Sequence, residues 1–333
     1  MMWVGLFACT KAEFLLKIFM RLFSAFPLFL ILACLLLLQD AHAEQLPFDR
    51  VFVGQERFTQ LLKEAKTERW ALLPLGQRTT RVGLSLCGTP YKNFTLEIDD
   101  HIEAPSVNFK GMDCWTFFEI SLNFARMLSL PEAEQTPGTL LGLIEAERYR
   151  GGRCNGQYLS RIHHLEELFQ DNEERGLLTN LTASLGGVRI RREVREMTVG
   201  WKSYRYLVNN PGLRTEMAAI ERRITGMNVV HIPKNRIAVM ESKLENGDII
   251  AITSKHDGGY TSHVGLAYWD EKGVLRFMHA SSNSKQVLVD LRLSEYVNKY
   301  GHNAGIIVAR PHEIPPQSLP QFARNTGAEI GKP

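Results

Sequence analysis

The chain changes character at Gly247. Beyond it, residues 248–253, 264–269, 275–279, 286–289 and 305–309 form short runs rich in β-branched and aromatic side chains. Gly258-Gly259, Glu271-Lys272-Gly273 and the polar stretch 281–285 separate the first four. Short strands at that spacing, joined by tight turns, predict an antiparallel sheet or meander. The part upstream reads as mainly helical. Helices segregated from an antiparallel sheet make an α+β domain, not an alternating α/β one.

Within the helical part, residues 55–77 carry Phe58, Leu61, Leu62 and Ala65 on one helical stripe. Gly88-Thr89-Pro90-Tyr91 is a turn, and residues 94–98 and 106–109 alternate like strands. Residues 114–130 read as a strongly apolar helix ended by Pro131, and 159–172 as another helix with a charged outer face. The stretch 186–235 is mixed. Residues 315–333 lack apolar periodicity and read as a loose tail.

The first forty-odd residues stand apart. Residues 22–38 are almost wholly apolar, and Ala41-His42-Ala43 follows directly. A positive residue, an apolar run and a small-x-small site together predict a secretory signal over residues 1–43, and Met20-Arg21 would begin one of ordinary proportions. The alternative is an uncleaved membrane anchor, since the run is near the lower length limit for spanning. A formal charge of +3 is too small to argue for nucleic acid as a partner. The five cysteines show no CxxC pair, which sets aside a zinc ribbon. Beyond residue 43, Cys87, Cys114 and Cys154 remain, and pairing of Cys87 with Cys154 stays open.

Chemistry concentrates at Asp113-Cys114-Trp115-Thr116. Asp113 is a good helix N-cap, which puts Cys114 at the first helical position. Unpaired N–H groups and the positive end of the helix dipole favour thiolate there, and the same amides suit an oxyanion. The bland alternative is a small buried hydrophobe. A thiol nucleophile needs a base, and the base an orienting group. His263 heads an apolar strand after the Gly258-Gly259 turn, and His279 ends the run expected to pair with it. Two neighbouring strands would bring the imidazoles side by side, making a Cys-His-His triad with Cys114.

On these residues the chain resembles the NlpC-type clan of papain-like cell-wall hydrolases. Within that clan it is most similar to the N-acetylmuramoyl-L-alanine amidase-like family, long catalogued as a domain of unknown function. Segments in family order are Leu86-Cys87-Gly88-Thr89-Pro90-Tyr91, Val107-Asn108-Phe109, Met112-Asp113-Cys114, Arg148-Tyr149-Arg150-Gly151-Gly152 and Ser160-Arg161-Ile162-His163. Val230-His231-Ile232-Pro233-Lys234, Gly247-Asp248-Ile249-Ile250-Ala251, His263-Val264-Gly265 and His279-Ala280-Ser281-Ser282 complete the series.

The resemblance implies a papain-like core, with the nucleophile helix packed on an antiparallel sheet, helical insertions, and one catalytic domain over 44–314. It implies hydrolysis of the amide between N-acetylmuramic acid and L-alanine in peptidoglycan fragments, without metal or other cofactor, by an exported, periplasmic protein with no lasting membrane span. By carry-over Cys114 is the nucleophile, His263 the general base and acid, and His279 the orienting member. Tyr91 matches a tyrosine near the nucleophile. Trp115 departs from the family's usual smaller apolar residue and Cys87 from a common leucine. Arg148 and Arg161 are candidates for gripping stem-peptide carboxylates, or else scaffold ion pairs. Ser281 and Ser282 either line the site or form a turn. Two other functions fit the same residues less well: a stem-peptide endopeptidase, and a non-catalytic peptidoglycan-binding protein.

Overall fold

The computed structural model describes residues 46–314; the expected signal over 1–43 and the tail over 315–333 lie outside them. The helices are α1 (Phe48–Val51), α2 (Gln55–Thr67), α3 (Leu75–Ser85), α4 (Cys114–Met127), α5 (Pro137–Arg148) and α6 (Leu165–Glu174), followed by α7 (Glu196–Val199), α8 (Arg205–Asn209), α9 (Leu213–Thr225), α10 (Ile237–Met240) and α11 (Leu293–Lys299). The strands are β1 (Phe52–Val53), β2 (Val107–Asn108), β3 (Leu178–Asn180), β4 (Val188–Arg189), β5 (Val230–Pro233), β6 (Ile249–Ser254), β7 (Thr261–Trp269), β8 (Leu275–Ser281), β9 (Gln286–Arg292) and β10 (Asn303–Pro311). Among the described residues, no helix is long and apolar enough to cross a membrane.

The expected meander is present as β6-β7-β8-β9, antiparallel throughout. The full order is β4-β5-β10-β6-β7-β8-β9, so the last strand of the chain lies inside the sheet, and β3 also pairs with β10. Alternation along the strands feeds two cores. Val264, Leu266, Met278 and Ala280 face the first, with Phe117, Phe118 and Phe124 of α4. Ile252, Ala267 and Phe277 face the second, with Leu293, Tyr296 and Val297 of α11. The fold is α+β, as expected.

Three local expectations need correction. The helix over 55–77 is two helices, because Arg69 turns left-handed at φ 57° and Pro74 starts α3 afresh. Residues 94–98 form turns instead of a strand. Their alternation reflects two buried polar anchors: Thr95 donates to Asp113 Oδ2 at 2.8 Å, and Glu97 accepts from the Tyr158 hydroxyl at 2.6 Å. The helix expected over 159–172 starts only at Leu165, which leaves Arg161 in an extended connection. In the mixed stretch, α7 to α9 pack on a small third core of Tyr158, Met197, Tyr206, Leu207 and Met217.

Candidate active site

Helix α4 begins as its sequence dictates. Asp113 accepts the Thr116 N–H at 2.8 Å, and the Thr116 hydroxyl accepts the Asp113 N–H at 3.1 Å, a reciprocal cap that fixes where the helix starts. Cys114 is therefore its first residue, and it is half-buried. The sulfur faces the N–H of Val264, one residue from His263, and those of Trp115 and Cys114 itself. Among the described residues no hydrogen bond joins Cys114 to His263.

The two histidines come from adjacent strands. Leu266 pairs with Met278, which sets Gly265 opposite His279 and places His263, two residues beyond Gly265 along β7, diagonal to it. Their rings meet at right angles, with His263 Nε2 and His279 Nδ1 2.7 Å apart. Gly265 makes this packing possible: a Cβ there would lie 2.5 Å from the Met278 carbonyl oxygen and 2.7 Å from the Phe277 ring. Phe277 stacks on His279, and Tyr296 packs edge-on against it with centroids 5.0 Å apart. Both rings thus lean on the second core, while α4 covers the first. The start of β7 is where the two halves of the site meet. The Tyr296 phenol ties them together: it is pushed up by burial first, then by Tyr300, Asp290 and Cys114.

Electrostatics overturn one expectation. Burial pushes the Cys114 thiol up to about 12, with the Asp113 carboxylate as second cause, and the three N–H groups do not offset them. Burial lowers His263 to about 3, helped by His279 and opposed by Asp290. Near neutral pH the free site therefore holds a neutral thiol and a neutral imidazole. The helix start alone does not generate a thiolate here, because burial of the sulfur, with the Asp113 carboxylate beside it, outweighs the N–H groups.

The remaining candidates separate. Tyr91, Cys114, Trp115 and Arg161 line one cleft of about 250 Å³. Ser281 and Ser282 line another, of about 170 Å³, with His263, His279 and Tyr296. Ser281 also makes the expected turn, accepting the Ser284 N–H at 3.1 Å. The Tyr91 phenol is raised to about 12 by burial, then by Cys114 and Asp113. Arg161 is buried, 3.2 Å from Glu103, and its Nε and Nη2 lack hydrogen-bond partners.

Arg148 is not a substrate contact. Its side chain is 0% exposed, donates to Glu119 Oε2 at 2.7 Å and spends its other N–H groups on Glu119 and Ser106. Glu119 also accepts the Trp115 indole N–H at 2.7 Å, so the buried pair orients the tryptophan at the cleft. Cys87, Cys114 and Cys154 are all free. Among the described residues no group of three or more His, Cys, Asp or Glu is placed to hold a metal ion.

Two neighbours of the histidines escaped the sequence. Asp290 Oδ2 lies 3.3 Å from His279 Nε2. The signal was alternation: His279 pairs with Leu288, so Asp290 falls on the same face of β9, two residues on. The expected strand stopped at 289, one residue short. Tyr296 sits on a helix whose apolar positions point only to a core.

Comparison with known proteins supplies the context. The family model described as AmiA-like, N-acetylmuramoyl-L-alanine amidase-like, matches residues 81–306. An N-acetylmuramoyl-L-alanine amidase from Bacteroides uniformis superposes with a TM-score of 0.64 at 26% identity, over 71% of this chain and 98% of that one. A Bacteroides fragilis protein provisionally named a xylanase gives 0.62 at 31% identity, over 69% of this chain and 99% of that one. A Legionella pneumophila protein shares the fold at 0.59 and 19% identity, over 80% and 95% of the two chains. A search of curated proteins finds no match.

Proposed function

The chain belongs to the N-acetylmuramoyl-L-alanine amidase-like family, and from that premise we propose that it is a cysteine hydrolase cutting the amide between N-acetylmuramic acid and L-alanine in peptidoglycan fragments. Family and neighbours already support an amidase-like hydrolase with a peptidoglycan-related substrate. The observation that carries the mechanism is the His263–His279 pair at 2.7 Å, next along β7 to Val264, whose N–H faces the thiol at a capped helix start. A helix bearing the thiol, packed on an antiparallel sheet bearing the histidines, supports the papain-like NlpC-type assignment.

Because thiol and imidazole rest neutral, the proton moves as the bond forms. Cys114 Sγ attacks the lactyl carbonyl while His263 takes the thiol proton, and N–H groups at the start of α4 hold the oxyanion. The tetrahedral intermediate collapses with cleavage of the C–N bond, and His263 returns the proton to the departing alanine nitrogen. Water then attacks the thioester, His263 taking its proton and passing it to the sulfur. Arg161, whose Nε and Nη2 make no hydrogen bond although they face Glu103 at 3.2 Å and Glu97 at 3.9 Å, is the contact in the Cys114 cleft for a stem carboxylate. Trp115 and Tyr91 form the wall beside the reacting carbonyl. The apolar run and Ala41-His42-Ala43 support export to the periplasm.

The xylanase label on one relative calls for a second reading. Glycoside hydrolysis ordinarily needs two carboxyl groups free to act across one bond. In the Cys114 cleft Glu97 accepts from Tyr158, Asp113 from Thr95 and Thr116, and Glu196 from Tyr204. All three carboxyl groups are engaged with the scaffold, which favours acyl transfer. Digestion of defined muropeptides, followed by mass analysis, tests the proposal. Release of peptides beginning with L-alanine, lost in Cys114→Ala, is expected. Cuts within the stem, or binding without turnover, would overturn it.

A further inference from the structure

Asp290 is a hydrogen-bond acceptor only, when ionised. Its Oδ1 accepts the Leu291 N–H at 2.7 Å, which turns the other oxygen, Oδ2, toward His279 Nε2 at 3.3 Å. The hydrogen bond with His279 first, then the Leu291 N–H and the electrostatic attraction of His279 and Lys299, outweigh burial and hold the Asp290 carboxyl below the usual carboxylate range, so it is ionised near neutral pH. An acceptor on one side fixes the proton on the other: His279 Nε2 carries N–H. A neutral His279 then presents a bare Nδ1. Among the described residues the nitrogen that meets that lone pair is His263 Nε2, 2.7 Å away, and it must be the donor. A neutral His263 with its proton on Nε2 is left with Nδ1 unprotonated. Each bond in the row determines the next.

We infer that Asp290 is a positioning residue which, acting through His279, keeps His263 in the tautomer whose Nδ1 is free to take the thiol proton. The reasoning rests on the proposed chemistry only for the last step; the tautomers themselves follow from the three side chains. Their placement agrees. Leu288 pairs with His279 across β8 and β9, and the register slips between Arg276 and Met278, where Asp290 lies. A bulge there holds the carboxylate at the rim of the sheet. His279 is 1% exposed and enclosed by Phe277 and Tyr296, which leaves few other partners for its Nε2. When His263 becomes an imidazolium during the reaction, the row also brings a negative charge to bear on it without placing a carboxylate against the sulfur.

The test reads the protons directly. Nitrogen-15 NMR of the full chain labelled at histidine reports which ring nitrogens of His263 and His279 are protonated, and it needs no substrate. The expected wild-type result is N–H at Nε2 of both rings. In Asp290→Ala the His279 signals should become a mixture of tautomers, and kcat on the cleaved muropeptide should fall on the order of ten- to a hundredfold with KM little changed. Asp290→Asn can still accept the same N–H through its side-chain oxygen. It should retain the tautomer and more of kcat than the alanine variant. Three results overturn the inference: a proton on His263 Nδ1 in the wild type, alanine-variant spectra identical to wild type whether or not stability drops, or altered spectra with unchanged kcat. A failure of the amidase assignment would leave the spectra as expected, so the two ideas fail separately.

Discussion

Replacing Arg148 by methionine separates a substrate contact from a structural one. In the structure its guanidinium makes bonds of 2.7 to 3.2 Å to Glu119 and of 3.1 and 3.2 Å to Ser106, and both ion-pair partners are 0% exposed. Arg148→Met leaves the Glu119 carboxylate buried, with the Trp115 indole N–H as its remaining side-chain donor. Breaking a fully buried pair from one side costs ~3–5 kcal/mol, because the survivor keeps its desolvation penalty. At ~2–4 °C per kcal/mol for a domain of this size, the thermal midpoint should drop by roughly 6–20 °C. The double variant Glu119→Leu with Arg148→Met removes both charges and should recover most of that loss, short of about 1–2 kcal/mol for the orphaned indole and Ser106 groups. Calorimetry on the two variants is the assay. A methionine variant that melts with wild type but shows a many-fold higher KM would refute the reasoning and return Arg148 to the binding site.

The other predictions concern the reacting groups. Iodoacetamide should label exposed Cys87 before Cys114 in the free protein at neutral pH, as mapped by peptide mass; faster labelling of Cys114 would mean a thiolate that the burial and Asp113 forbid. The kcat/KM profile reports the free protein's groups. With His263 near 3 and Cys114 near 12, it should stay flat from about pH 5 to 9, and an acidic limb near the ordinary histidine value of about 6.5 would count against the assignment. The sign for stability follows: His263 is depressed in the folded state, so its contribution is present above the unfolded value of about 6.5 and is lost as pH falls toward 3. His163, held well below its ordinary value by burial, and His164 and His231, both lowered to about 4, act in the same direction. Glu147 and Glu166, raised to about 7, oppose it, as do Glu103, Glu145, Glu196 and Asp248, all raised by burial. Urea unfolding of wild type and His263→Gln between about pH 7 and 4.5 isolates the His263 contribution: the wild type should lose more stability than the variant over that window, and equal changes would refute it.

Reading the sequence went furthest where local chemistry and tertiary structure agree. The strands after Gly247 were legible because glycine turns bracket alternating β-branched runs, and the start of α4 was legible because Asp113 and Thr116 form a local cap. The failures have a common cause in burial of polar groups. Thr95 and Glu97 alternate like a strand, yet they point inward to partners found only in three dimensions. Arg148 and Arg161 look alike in sequence. What distinguishes them is that Arg148 is fully hydrogen-bonded to Glu119 and Ser106 across the interior, whereas Arg161 faces Glu103 and Glu97 without hydrogen bonds from its Nε and Nη2 and lines a cleft. The Cys114 thiol defied its helix position because burial strips water from the sulfur, and the capping Asp113 carboxylate adds to the cost of charging it. Asp290 needed the register of β8 with β9, which no single strand carries.

The position of β10 has a consequence for how the protein comes into being. Its residues are among the last of the described chain, yet they bridge β5 and β6 and also receive β3. Until they arrive, the two flanks of the sheet have no seam between them, and neither core can close. Synthesis of the first 300 residues would yield a chain unable to complete its own architecture, kept open until β10 is made. Any variant truncated before Asn303 should therefore remain soft and readily digested by protease, although Cys114, His263, His279 and Asp290 are all present.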